Sequence, residues 1–417
     1  MRSRPRLRAL TAAAVLPLAL PLAACGASAA TVRTAGATAP ATFTLPRPTG
    51  PHQAIGTTEL HLVDEGRADP WVPGRTRELM VSVWYPAAKP SGRTAPYLRP
   101  GVAATLAKVD ALRVFKAGTV DWAGARTHAA ESAPADARRG ARPVVLYSPG
   151  FGVPRALGTG VAEELVSRGY VVVTMDHTYE TAPVEFPGGR VESQRLPEEP
   201  DGVLQTALAT RVQDTRFVLD RLADLRRGRN PDAEGRRLPR GLGRTLDLSK
   251  VGMFGHSAGG IQAAEAMRTD RRLDAGINMD GTMQYGKDDL VEVARTGLDR
   301  PFMLMGAATG GDPQTHRTTP SWGAFWKNST GWKRDLNVPT ASHYSYTDVQ
   351  SFMPVLDEKL DFSEEDRAAA IGTVDPARMT AAKRAYITAF FDRALSGRHR
   401  PILDRPSPRH PDVRFID

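Results

Sequence analysis

The 417-residue chain contains a single cysteine, Cys25. It therefore has no internal disulfide and no paired Cys/His ligands for a structural zinc site, so its stability must come from packing. Aromatic residues are sparse, at 7%. None is interleaved with the basic run from Arg226 to Arg244, which also lacks apolar periodicity. Such a run reads as a solvated loop rather than a nucleic-acid surface. No HExxH, no GxxxxGK and no GxGxxG after a first strand is present, so no metal and no cofactor is expected. The apolar run Ala9 to Leu22 is too short and too interrupted by proline for a stable membrane span. What is present, 41% hydrophobic and 24% charged residues, suffices for a large buried core.

The N-terminus has the layout of an export signal over residues 1–24: Arg2, Arg4, Arg6 and Arg8 precede the apolar run. Removing those four arginines lowers the formal charge from +9 to +5. The segment ends in Leu22-Ala23-Ala24-Cys25, which resembles the lipobox of bacterial lipoproteins. The resemblance implies acylation of the Cys25 thiol and anchorage at the outer face of the cell membrane; without the anchor, the product is secreted. Residues 25–54, rich in Ala, Thr and Pro, are then expected to be a flexible tether ahead of a folded domain over 55–417.

From residue 55 strands alternate with helices. Leu60 and Leu62, then the run Leu79 to Trp84, suggest two early strands that pair as a hairpin. Five short apolar runs, 143–147, 170–174, 250–254, 275–279 and 301–305, look like strands buried on both faces of a parallel sheet. Helical patterns fall at about 158–168, 203–225, 258–268 and 379–395. The expected fold is therefore α/β, a mostly parallel, doubly wound sheet. Two stretches, 97–140 and 181–200, break the alternation and are expected to be cap or lid insertions.

The strongest chemical signal is Gly255-His256-Ser257-Ala258-Gly259, directly after the strand at 250–254 and opening a helix. A serine on a tight strand-to-helix turn has its hydroxyl held above the sheet, and the flanking glycines avoid collisions there. The hydroxyl needs a histidine base, which needs an orienting carboxylate. Of the downstream histidines, His399 and His410 lie in an Arg/Pro-rich tail and His316 in a polar loop. His343 follows a plausible last strand, Leu336 to Val338, and fits a base best. Two carboxylates compete for the third place: Asp280 lies at the end of the strand at 275–279, Asp312 beyond the next strand. Parallel strands end on one rim, so both can face the serine; Asp280 is nearer its strand and better fixed. The backbone N–H groups of Ala258 and of Phe151, in Ser148-Pro149-Gly150-Phe151-Gly152, are the expected oxyanion donors. Trp322, Trp326 and His177 are candidate substrate contacts, with core packing or a loop-propping hydrogen bond as the structural alternative.

Together, Val81 to Pro86, Ser148 to Gly152, Asp176-His177, Gly255 to Gly259, Asn278 to Asp280 and Ser342-His343 resemble the plasma-type platelet-activating-factor acetylhydrolase family and its bacterial relatives. The resemblance covers about residues 55–395. It implies an α/β-hydrolase fold, calcium independence and a serine esterase whose acid follows the strand next after the nucleophile, which favours Asp280 over Asp312. The implied reaction is hydrolysis of short acyl esters, including short sn-2 acyl groups of phospholipids, through an acyl-enzyme. A triacylglycerol lipase or a polyester hydrolase is the alternative within that chemistry, and a non-catalytic envelope binding protein the alternative outside it. Ser148-Pro149 departs from the His-Gly pair of the animal enzymes, as does the 181–200 insertion. The expected partners are a small or lipid ester and, through Cys25, a membrane; a monomer is expected.

Overall fold

Residues that alternate between two buried faces build the centre of the sheet: along Arg142–Ser148, Val144 and Leu146 join one core and Val145 and Tyr147 the other. The computed structural model describes residues 39–417 except 90, 91, 113, 182, 200 and 310. The export signal and Cys25 lie outside the described residues. Eleven strands form one sheet in the order Arg414–Phe415, Lys333–Asn337, Phe302–Gly306, Ala275–Met279, Leu246–His256, Arg142–Ser148, Val171–Met175, Thr76–Pro86, Ile55–Ala68, Arg126–Glu131 and Thr94–Pro96. The six from Lys333–Asn337 to Val171–Met175 run parallel. Ile55–Ala68 and Thr76–Pro86 form the antiparallel hairpin at one side. Helices Val203–Arg226 and Ala258–Thr269 cover one face, and Thr159–Ser167 and Pro376–Ser396 the other. This is the α/β-hydrolase arrangement, with the strand that leads into Ser257, Leu246–His256, near the middle.

The structure corrects the expected tether. The folded unit begins at Pro40, not at residue 55. Ala41, Phe43 and Leu45 are buried, and the Phe43 ring stacks on Phe352 at 4.4 Å with Tyr97 and Trp122 edge-on to it. Further along, Thr49 binds the Glu164 carboxylate through its N–H and its hydroxyl, both at 2.7 Å. The Ala/Thr/Pro composition concealed these anchors because each partner lies far away in sequence.

The 97–140 insertion has its own apolar centre around Phe115, Trp122 and the neighbouring Phe352. The 181–200 insertion is held by polar and apolar contacts together: the Glu185 carboxylate accepts from the Gly101 N–H at 2.6 Å, Arg190 binds Glu78 while lying 4.0 Å from the Phe186 ring, and Val184 and Phe186 are buried against Met80. Among the described residues no helix is long and apolar enough to cross a membrane.

Candidate active site

Ser257 follows Leu246–His256 and caps the helix Ala258–Thr269 with φ +54° and ψ −122°, a strained conformation for a residue with a Cβ. The glycines around it are sterically required. A Cβ on Gly255 would sit 2.2 Å from Gly259, and one on Gly259 2.1 Å from the Ser148 carbonyl. The Ser257 N–H donates to the Met279 carbonyl at 2.8 Å, tying the turn to the next strand. That strand, Ala275–Met279, ends at Asp280, which also has a positive φ of 59°.

The structure brings Asp280 and His343 together: His343 Nδ1 lies 2.7 Å from Asp280 Oδ2. The other oxygen, Oδ1, accepts the Ala307 N–H at 2.7 Å. The imidazole is thus held in the tautomer with Nδ1 protonated and Nε2 free to take a proton. Asp280 is buried while the His343 side chain keeps 42% exposure, so the imidazole reaches solvent and its carboxylate partner does not. Among the described residues no hydrogen bond joins Ser257 Oγ to His343 Nε2; such bonds commonly shorten when substrate arrives. Asp312 is exposed in Asp312–Pro313, away from His343's carboxylate contact. His316 is committed elsewhere, with Nδ1 2.7 Å from Asp335.

Residues to which the sequence assigned no individual role hold this corner in place. His256 Nε2 lies 3.0 Å from the His343 carbonyl, and the two rings are 4.3 Å apart. Burial and the adjacent His343 push the His256 imidazole well below its ordinary value, so it stays neutral and donates from Nε2. Asn278 accepts the Gly281 N–H at 2.9 Å and donates to the Gly281 carbonyl at 2.8 Å, fixing the bend beside Asp280. Tyr346 donates to the Gly306 carbonyl at 2.9 Å behind the His343 turn.

The Phe151 turn lies against the serine: a Cβ on Gly150 would be 3.4 Å from Ser257 Cβ. Gly152 has φ +72°, and Val153 N–H closes the turn on the Gly150 carbonyl at 3.2 Å, a geometry that requires glycine at that third position. Ala258 N–H, in the first helical turn, has no intrahelical acceptor. Phe151 and Ala258 both line a cavity of about 40 Å³ completed by Leu204, Ala207, Leu208, Ile261, Tyr285 and Val291, with Arg211 and Gln284 at its polar side.

Three candidate substrate contacts are placed elsewhere. Trp322 is fully buried in the core and donates from Nε1 to the Gly281 carbonyl at 2.7 Å, so it supports the Asp280 corner from behind. Trp326 stacks on His316 at 4.2 Å with Lys333 over it. His177 is fully buried, with Nε2 2.9 Å from Ser148 Oγ and Nδ1 2.8 Å from Asp214. It props the loop after Val171–Met175, the structural alternative. Ser148 lies 2.6 Å from Gln262 Oε1 as well. Among the described residues no group of three or more His, Cys, Asp or Glu is arranged to hold a metal.

Residues 45–305 match the family described as platelet-activating factor acetylhydrolase, isoform II. A protein of Arthroderma benhamiae named "Probable 1-alkyl-2-acetylglycerophosphocholine esterase" is 28% identical over 403 residues, covering 91% of this chain and 95% of that relative. A solved ferulic acid esterase from Streptomyces cinnamoneus superposes with a TM-score of 0.73 at 39% identity, covering 90% of this chain and 99% of that one. An elbow serine, a paired histidine and carboxylate on the same rim, and these likenesses over most of the chain lead to one conclusion: the protein is a carboxylic-ester hydrolase that belongs to the platelet-activating factor acetylhydrolase isoform II family.

Proposed function

We propose that Ser257 is the nucleophile, His343 the general base and acid, Asp280 its orienting carboxylate, and the N–H groups of Phe151 and Ala258 the oxyanion donors. The 2.7 Å contact of His343 with Asp280 supports the pairing. In the first half-reaction Ser257 Oγ attacks the ester carbonyl and its proton passes to His343 Nε2. Negative charge collects on the former carbonyl oxygen between the two amides. Collapse of that adduct expels the alcohol, which takes the proton from Nε2. Water, deprotonated by the same nitrogen, then releases the acid and restores the serine.

The substrate class we propose is an ester of a short acyl group. The observation that carries it is the cavity of about 40 Å³ beside Phe151 and Ala258. It is a narrow, largely apolar recess against the two amides, which suits a short acyl group better than a long one. The 181–200 segment is pinned to the domain by Glu185 on the Gly101 N–H, by Arg190 on Glu78 and by burial of Val184 and Phe186 against Met80, which is poor material for a lid that opens onto lipid. The expected result is a kcat/KM on p-nitrophenyl acetate and butyrate at least tenfold above that on palmitate, with no jump in rate at the micelle concentration. Higher kcat/KM on methyl ferulate than on the acetyl ester would instead align this chain with the acyl preference named for its structural neighbour and overturn the short-acyl reading.

Anchorage through Cys25 stays part of the proposal and rests on Leu22-Ala23-Ala24-Cys25. Two or more acyl chains give stable attachment where one gives marginal binding. Cys25→Ser should move the enzyme from the membrane to the soluble fraction or stall its processing, with kcat unchanged. Intact-mass analysis finding an unmodified N-terminus on a fully soluble wild-type protein would reduce the reading to plain secretion.

A further inference from the structure

The turn that carries Phe151 has little stiffness of its own, because Gly150 and Gly152 flank the one residue whose N–H matters. Its rigidity comes from below. Arg211, projecting from Val203–Arg226 with no exposed surface, donates from Nη1 to the Pro149 carbonyl at 2.8 Å and to Ser148 Oγ at 3.1 Å, and from Nη2 to the Gly150 carbonyl at 3.1 Å. Glu180, equally buried, accepts from Arg211 Nε at 2.9 and 3.1 Å and so fixes the rotation of the guanidinium. None of the steps above uses this buried ion pair.

A trans peptide is planar, with its C=O and N–H on opposite sides. The Gly150 carbonyl points at Arg211, so the Phe151 N–H of the same peptide points away from it. Phe151 N–H meets no hydrogen-bond acceptor among the described residues, while the turn runs within 3.4 Å of Ser257 Cβ, measured from a Cβ built on Gly150. A carbonyl that accepts a charged donor also polarises its own amide, which strengthens the N–H as a donor.

We propose that Arg211, locked by Glu180, is the positioning residue of the oxyanion hole: by gripping the Pro149 and Gly150 carbonyls it aims the Phe151 N–H at the developing oxyanion. The inference rests on Ser257 as nucleophile. Lysine offers one ammonium and cannot span Glu180 and two carbonyls at once.

The test compares Arg211→Lys and Glu180→Gln with wild type on p-nitrophenyl acetate, alongside binding of a trifluoromethyl ketone, whose serine adduct places a negative oxygen in the hole. For Arg211→Lys, kcat should fall about 10²-fold, the scale of one lost oxyanion donor, with KM changed less than about threefold. Ketone affinity should fall in parallel with kcat/KM. Glu180→Gln should show the same pattern at about tenfold. A folded Arg211→Lys with kcat within threefold of wild type overturns the proposal, and so does a loss of kcat that leaves ketone affinity intact. Should Arg211→Lys fail to fold, the Glu180→Gln kcat and ketone affinity decide by the same two criteria. Ser257→Ala run beside them separates the failures: its retained activity removes the nucleophile reading itself, whereas an inactive Ser257→Ala beside a fully active Arg211→Lys removes only this inference.

Discussion

Two Ser/His/Asp sets lie within a few residues of each other at the rim of the sheet. In one, His343 Nδ1 is 2.7 Å from Asp280; in the other, His177 Nδ1 is 2.8 Å from Asp214. Their surroundings differ completely. Ser257 sits on a strained turn and His343 is partly exposed, whereas Ser148, His177 and Asp214 are sealed from solvent. Ser148 belongs to a sheet strand, and its Oγ is occupied by His177, Gln262 and Arg211. Burial and the nearby Arg211 push the His177 imidazole below its ordinary value, so it makes a poor proton acceptor. Burial opposes ionisation of Asp214, but Arg77 and the His177 hydrogen bond prevail and hold its carboxyl far below the usual carboxylate range. The comparison teaches that three side chains in a hydrogen-bonded row do not make a catalytic site. Access, a free nucleophile and amides aimed at the oxyanion do.

The largest expected effect separates the serines. Ser257→Ala should lower kcat on p-nitrophenyl acetate by about 10⁴-fold or more and abolish labelling by a fluorophosphonate. Ser148→Ala should still be labelled and keep kcat within about tenfold, its loss confined to the support of the Phe151 turn. Labelling that survives Ser257→Ala and disappears in Ser148→Ala would reverse the assignment of the two sets.

The carboxylates should separate next, along different axes. Asp280→Asn leaves the imidazole in the wrong tautomer and is expected to cost about 10⁴ in kcat with little change in melting temperature. Asp214→Asn leaves Arg77 with Asp69 as its remaining carboxylate partner, so it should lose about 1–3 kcal/mol of stability while the molecules that remain folded stay active. Asp312→Asn, at an exposed position, should be near neutral in both. Equal activity losses in Asp280→Asn and Asp312→Asn would break the assignment of the acid.

The smallest effect is a pH dependence. A carboxyl held below its unfolded value of about 3.9 contributes its stability in full above about pH 4 and loses it as pH falls from there. The gap in melting temperature between wild type and Asp214→Asn should therefore be constant from pH 7 to about pH 5 and narrow below about pH 4. A gap that widens on acidification would mean that the Asp214 carboxyl is not held low.

The elbow was legible in the sequence because part of its constraint is local: a Cβ on Gly255 would collide with Gly259 and Gly260, while Gly259 is required by the distant Ser148 and Pro149 backbone. The parallel strands were legible because a strand covered on both faces is apolar along most of its length, as Val144 to Tyr147 and Val171 to Val173 are. The strand before His343, read as Leu336 to Val338, begins three residues earlier and ends one earlier, and it is followed in the chain by the short strand Arg414–Phe415. Lys333–Asn337 opens with two charged residues and carries Asp335, whose burial is made tolerable by His316, a partner invisible to periodicity. Trp322 and Trp326 were misplaced on the same ground: nothing in the spacing of an aromatic residue says whether it faces a cleft, the Gly281 carbonyl or another ring.

By itself, the sequence determined the order of strands and helices, the serine's turn and the chemical types available on the rim, because these follow from neighbouring residues and from apolar pattern. Only the tertiary structure decided that a partly exposed His343 meets Asp280, and that Ser148, His177 and Asp214 meet in the core. It also decided that residues 40–54 pack on the domain, and that Arg211 reaches beneath the Phe151 turn. Those outcomes depend on pairings between distant positions, such as Thr49 with Glu164 or Arg211 with Gly150, where geometry and desolvation select the partner and local composition has no influence.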